Sequence, residues 1–238
     1  FRLKENNTNA LVEIDIQRLN FVHQNASFEN SEAILLASLI KSKKEFKNHE
    51  ASALYAFEIA NSYRNKATSY SSENTENRFK NKEAIVICNE VIKEFPTSFG
   101  AKKCAILKSQ IEEKSLSITA EEFIPIDKNS RLLVSYNNVE KLFFTAYKIN
   151  PQELESFHKL HKLEDKRTFI NQLEKASNWE HQLRNEHDYL QHSTEVIVPK
   201  FKNGMYLILA SESEELQENS VFGTTQIQAT NLTLIENN

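Results

Sequence analysis

Three groups of side chains in this sequence have the types and spacing to do chemistry. His158 and His161 stand three apart with Glu164 and Asp165 close behind, which on a continuous helix would set two imidazoles and a carboxylate on one face. A zinc site there would want a fixed third ligand, and the spacing is not that of HExxH. The run HKLHKLEDK reads more simply as a solvated, charged helix. His181, His187 and His192 gather around a connection between two strands, together with Glu186 and Asp188. They alternate with polar residues and read as exposed loop histidines, against the competing reading of a zinc or pH-sensing cluster. The third group is a cysteine pair. Cys88 and Cys104 each lie eight residues from Pro96, so a helical hairpin turning there carries both sulfurs about 12 Å from the turn at a rise of ~1.5 Å per residue. The two should face one another, either as a disulfide, which needs a Cα separation under about 7 Å, or as two small apolar residues packed at a helix contact. Neither reads as a nucleophile, and neither has further cysteines or histidines at ligand spacing.

Other motifs of catalysis are missing from the sequence. It has no GxSxG, GxxxxGK[ST] or GxGxxG, and three glycines in 238 residues cannot build the usual phosphate-cradling loop. No catalytic, cofactor-binding or metal-binding residue is assigned, no cofactor is expected, and the chain is not expected to be an enzyme. The formal charge of −4 comes from interspersed Lys and Glu without a basic block, so the electrostatic footprint of a nucleic-acid binder is missing. No apolar run approaches the ~20 residues that span a bilayer, and no signal peptide opens the sequence. Because it begins at Phe1 without a Met, it reads as a piece of a longer protein whose export signal lies elsewhere.

These residues must be positioned by elements of two kinds. An apolar share of 39% with few glycines and prolines suffices for two small cores. The first half has helical spacing. Leu11, Ile14, Ile16, Leu19 and Val22 form one stripe; Ala33, Leu36, Ala37, Ile40 and Phe46 form a second, starting at Ser31 and Glu32. A third helix is predicted over 50–70 with Ala53, Leu54, Phe57, Ala60 and Tyr63 on one side. A fourth runs over 82–95 with Ala84, Ile87, Cys88, Val91 and Ile92 and stops before Pro96. A fifth follows over 99–113. In ALYAFEIANSY (53–63), EAIVICNEVIKEFPTS (83–98) and FGAKKCAIL (99–107), small residues fall where paired helices must approach closely. These segments resemble tetratricopeptide repeats, although the polar linker Ser71 to Asn77 is longer than the usual repeat turn. An ordinary antiparallel bundle is the alternative.

The second half reads as strands: 116–118 or 123–126, then 132–136, 141–149, 179–183, 194–198, 205–210 and 225–235. Asn137 and Asn138 break the second from the third, and Asn203 with Gly204 suggest a hairpin between 194–198 and 205–210. Pro151 opens a helical insertion over 151–177 with a helix at 163–175. Trp179 and Phe143 are expected in the core.

The pattern NV..LFF.AYKIN (138–150) with HSTEV.VP....GMYLILAS (192–211) resembles macroglobulin domains, in the versions found in large bacterial α2-macroglobulin-like proteins. The resemblance implies an α+β multidomain chain: a tetratricopeptide-like antiparallel helical array at 1–114, then an antiparallel β-sandwich of macroglobulin type at 115–238. It further implies a non-catalytic structural part of an envelope-associated, extracytoplasmic protease trap. The partners would be neighbouring domains of the parent chain and the endopeptidases it inhibits. Export favours a disulfide between Cys88 and Cys104, worth about 3 kcal/mol in the loop-entropy picture. The family's Cys-x-x-Gln thioester is not here, since Cys88 is followed by Asn89, Glu90 and Val91 and Cys104 by Ala105, Ile106 and Leu107. No bait segment can be assigned, the acidic stretch Ser211 to Asn219 being the most exposed loop candidate. The alternative is a helical-repeat interaction module of the cell envelope, whose groove would use Asn61, Arg64, Asn65 and Lys102. A further docking face is expected at Leu232, Leu234 and Ile235.

Overall fold

Small contact residues, together with capping side chains at the starts of the first and fifth helices, shape the helices of the first half. They are α1 (Thr8–Asn25), α2 (Ser31–Glu45), α3 (Ser52–Ala67), α4 (Lys80–Glu94) and α5 (Phe99–Glu112). The computed structural model of the protein describes residues 7–218 and 220–231. Its contacts divide the chain into two units, Phe1–Glu113 with His187–Leu190, and Lys114–Glu186 with Gln191–Asn238. Asn7 caps α1 by accepting from the Ala10 amide at 3.3 Å, and Ser98 caps α5 by accepting from the Ala101 amide at 3.1 Å, each satisfying one of the orphan donors of a first turn.

In the helical unit α3 touches α1, α2, α4 and α5. One of its sides joins Val12, Ile16 and Leu39 through Leu54, Tyr55 and Ile59. Its other side meets α4 and α5 through Ala53, Ala56 and Ala60, packed with Ala84, Cys88, Ala101, Cys104 and Leu107. Serving two cores, the run Ser52 to Ala56 is buried throughout. The predicted stripes of the first two helices are corrected in part. Val22, Ala33, Ala37 and Ile40 are exposed, while Ile16 is buried as predicted with Val12 and Leu39, and Leu19, Leu36 and Phe46 pack against them. Both helices carry apolar residues on several sides, so spacing alone does not select the face. The closest approach is at Gly100, where an added Cβ would lie 2.4 Å from the Ala53 carbonyl carbon and 2.6 Å from its oxygen.

The second unit is built from β1 (Ser115–Ala120), β2 (Phe123–Ile124), β3 (Ser130–Asn137), β4 (Lys141–Lys148), α6 (Pro151–His158), α7 (Leu163–Ile170), β5 (Lys175–Gln182), β6 (His192–Val198), β7 (Gly204–Ser211) and β8 (Phe222–Ala229). Among the described residues these strands make two sheets, ordered β1-β3-β6 and β2-β8-β7-β4-β5. All neighbours are antiparallel except β2, which runs parallel to β8. The core between the sheets holds Leu132, Val134, Val196 and Val198 from the smaller and Leu142, Phe144, Ala146, Tyr206, Ile208, Ala210 and Ile227 from the larger. Inside it Phe144 stacks on Trp179 with centroids 5.1 Å apart, and Phe201 lies 4.5 Å from Tyr206.

Several expectations change here. The segments 194–198 and 205–210 do not form a hairpin. β6 pairs with β3 and β7 pairs with β4 and β8, so Pro199 to Asn203 carries the chain from one sheet to the other. Phe144 faces the core where Phe143 was expected, since Phe143 is only half-buried. Both candidate first strands exist, as β1 and β2, and the sandwich is not purely antiparallel. The insertion is a third layer: Leu154, Phe157 and Ile170 of α6 and α7 pack on Tyr147, Ile149, Leu207 and Leu209, on the outer face of the larger sheet. α6 starts where expected, with Pro151 in its first turn and a capping box between Asn150 and Glu153. The helix expected at 163–175 ends at Ile170, and Lys175 already opens β5. The last strand ends at Ala229; Leu232, Leu234 and Ile235 lie outside the described residues, as does Asn219.

Replacing Gly100 by Ala removes about 1 kcal/mol of glycine's helix penalty, but the new methyl meets backbone that cannot rotate away. The clash prevails. Gly100→Ala is expected to lower unfolding stability by about 1–3 kcal/mol, read as a shift of the urea midpoint followed by far-ultraviolet circular dichroism. An unchanged midpoint would show that α3 and α5 are not so closely seated.

Candidate functional site

The first histidine group does not share a helix face. His158 is the last residue of α6, His161 lies in the break, and Glu164 and Asp165 stand in the first turn of α7. All four are exposed. The continuous charged helix read from HKLHKLEDK is therefore two helices, interrupted because Phe157 and Ile170 must both reach the same sheet face.

The second group is divided as well. His181 lies on β5 and His192 opens β6. Both line a polar cleft of about 400 Å³ with Tyr136, Arg184, Glu186, Ser193 and Thr194. The Tyr136 hydroxyl donates to the Arg184 carbonyl at 2.7 Å, the Tyr136 and His192 rings sit 5.9 Å apart, and Arg184 is ion-paired with Glu186. His187 belongs with the helical unit. It is exposed, at a positive φ of 53°. Among the described residues no three His, Cys, Asp or Glu side chains come together in a metal-holding group.

Asp188 was expected on a surface loop and is instead 1% exposed. Its carboxylate accepts from Arg78 Nε at 3.0 Å and from the Leu190 amide at 3.1 Å. Beside it Asn81 donates to the Tyr189 carbonyl at 2.9 Å, and the Tyr189 ring packs on the core shared by α3, α4 and α5. His187 and Tyr189 both take left-handed φ values, uncommon for residues with side chains. The backbone so bent lets Asp188 and Tyr189 each reach a partner in the helical unit. Sequence reading missed this anchor. A buried carboxylate needs a cation, and the candidate, Arg78, is 110 positions away.

A second, half-buried carboxylate lies where α1 meets α3. Asp15 on α1 accepts from Arg18 at 2.7 Å with one oxygen and from the Tyr55 hydroxyl at 2.8 Å with the other. The group borders a cleft of about 470 Å³ between α1, α2 and α3, with Ser42 and Phe46 on its wall. Burial and the hydrogen bond to Asp15 hold the Tyr55 phenol well above its usual range.

Cys88 and Cys104 are free thiols, both fully buried, on α4 and α5, and within hydrogen-bonding reach of each other. That bond and burial push the Cys104 thiol up, while the same bond draws Cys88 down. Of the residues expected to line a peptide groove, Asn61 and Arg64 are half-buried on α3, and Asn65 and Lys102 are exposed. Lys103 sits 4.1 Å over the Phe57 ring and 3.7 Å from Glu58. The stretch 211–218 is less exposed than expected: Ser211 is buried, Glu212 pairs with Lys114 at 2.6 Å, and Arg167 donates to the Gln217 carbonyl at 2.8 Å. Large apolar side chains do reach solvent on the helical unit, among them Phe21, Phe28 and Ile34 of the first two helices and their connection, and Val86, Phe99 and Ile106 of α4 and α5.

No family model matches the sequence, and no curated protein matches it. Weak structural neighbours exist. The CARDB domain of a Pyrococcus furiosus protein, solved in complex with di-metal ions, is 16% identical over 50% of this chain and 88% of its own, with a TM-score of 0.28. A fragment of native α2-macroglobulin from Escherichia coli is 13% identical over 47% of this chain and 38% of its own, with a TM-score of 0.29. A Pseudomonas fluorescens alkylpurine DNA glycosylase bound to DNA is 8% identical over 91% of this chain and 82% of its own, with a TM-score of 0.26. Likenesses at this level carry no argument about what the chain does.

Two expected outcomes follow from the carboxylates. Arg78→Ala leaves Asp188 buried without its cation and is expected to cost about 3–5 kcal/mol, measured by urea unfolding; a loss under about 1 kcal/mol would mean that water replaces the guanidinium. Tyr55→Phe removes a hydrogen bond to a charged acceptor and is expected to cost about 1.5–3 kcal/mol at neutral pH. The folded phenol ionises above the unfolded value, so this contribution is complete below about pH 10 and is lost as pH rises beyond it. The stability gap between wild type and Tyr55→Phe should therefore narrow in alkaline buffer, and a gap that widens there would contradict the assignment.

Proposed function

We propose that this chain is a non-catalytic structural part of a larger, envelope-associated α2-macroglobulin-like protein, in which it holds neighbouring domains in place for an endopeptidase-inhibiting trap. The observation that carries this reading is the place of the residues behind the sequence resemblance. Residues 138–150 and 192–211 supply all of β4, β6 and β7, three of the strands that build the core between the sheets. The motif is thus the sandwich's structural centre. The polar groups suit a mechanical role, because the buried carboxylate of Asp188 is committed to Arg78 and the half-buried one of Asp15 to Tyr55 and Arg18. Work of this kind needs no reacting group and no cofactor. Its partners are neighbouring domains and, through the whole protein, the captured protease, in an extracytoplasmic compartment.

The exposed apolar side chains of the helical unit favour a second reading, a helical-repeat interaction module of the cell envelope. One experiment separates the two. The full-length parent protein is incubated with an endopeptidase, and hydrolysis of a large protein substrate is compared with that of a short peptide. A trap shields the large substrate while the peptide is still cleaved. Equal cleavage of both overturns the trap and leaves the interaction module.

A further inference from the structure

The core of the helical unit contains two thiols that the proposed function does not use. Cys88 and Cys104 are each 0% exposed and belong to one buried cluster where α4 packs on α5. Their neighbours are small: Ala84 lies one turn before Cys88, Ala101 one turn before Cys104, and Ala53, Ala56 and Ala60 of α3 complete the cluster. Small side chains let helix axes approach, and a disulfide needs that approach. The hairpin between the cysteines is short and ordered, turning at Pro96 with Ser98 capping α5.

We propose that Cys88 and Cys104 form a redox-modification site, which a disulfide oxidant converts to an intramolecular disulfide crossing the α4–α5 hairpin. The Cys88 thiolate, favoured by the hydrogen bond from Cys104, attacks one sulfur of the oxidant. A mixed disulfide forms, and one thiolate leaves, which takes up a proton. Cys104 then loses its proton to solvent and attacks the Cys88 sulfur, releasing the oxidant's second thiolate. The protein loses two protons and two electrons, and the oxidant's disulfide is reduced to two thiols. Because both sulfurs are buried, the first attack awaits local opening of the hairpin. The finished bridge is shielded from reductants by the same burial. This site depends on neither of the two functional readings.

The test uses the full chain, reduced and then held in native buffer with oxidised glutathione, with samples acid-quenched, alkylated and weighed intact. The expected product lacks two hydrogens and carries no glutathione, and its non-reduced digest contains a peptide joining Cys88 to Cys104. It should melt higher than the dithiol form by on the order of 10 °C. Cys104→Ala, confirmed as folded by circular dichroism, should stop at the mixed disulfide and keep one glutathione on Cys88. A wild-type chain that stays reduced while an exposed control thiol reacts, or a bridged form that melts lower than the dithiol, would overturn the proposal. So would an adduct on wild type that never resolves.

Discussion

The strand β7 has no side that can face water, and the second unit is arranged around that fact. Tyr206, Ile208 and Ala210 point into the space between the sheets, while Leu207 and Leu209 point the other way. A strand apolar on both faces needs two covers. One is the small sheet of β1, β3 and β6; the other is the pair of helices inserted between β4 and β5. The neighbouring β4 has the same requirement, with Leu142, Phe144 and Ala146 inward and Tyr147 outward. The insertion follows β4 directly, so the chain covers the outer face of the larger sheet before adding β5 to its edge.

The helical unit solves a similar problem with smaller residues. α3 is flanked on two sides, and one side is an alanine seam that meets α4 and α5 closely enough for Gly100 to touch the backbone of Ala53. Its other side carries the larger Leu54, Tyr55 and Ile59. The carboxylates of Asp188 and Asp15 enter this unit with partners. Desolvating a carboxylate costs several kcal/mol unless a charge or several donors replace water. Asp188 has Arg78 and a backbone amide, and Asp15 has Arg18 and a phenol.

Much of this was legible in the sequence because it is local. Ser31 and Pro151 marked real helix starts, the stop before Pro96 was real, and MYLILA read as a buried strand. The failures are all of partnership. Nothing within 194–210 says that β6 and β7 belong to different sheets, because a five-residue connection with Asn203 and Gly204 suits a hairpin equally well. Phe143 and Phe144 are adjacent and identical, so only the register with β5 and β7 decides which faces the core. The burial of Asp188 depends on Arg78, far away in sequence, and no spacing rule reaches that distance.

The residues that looked chemical also show how tertiary packing redirects a sequence pattern. Histidines three apart suggest a shared face only while the helix continues, and the helix does not continue past His158 because two short helices must each bring an aromatic or aliphatic anchor, Phe157 and Ile170, to the sheet. Asp188 resembles part of a histidine cluster but serves as a buried counter-charge. Packing takes up Asp188 in this way, and apolar surface is left to solvent. On the helical unit that surface includes Phe21 at 67% exposure and Phe99 and Ile106 at 61%, side chains whose burial against a protein partner would be favourable by about 1.5–3 kcal/mol each.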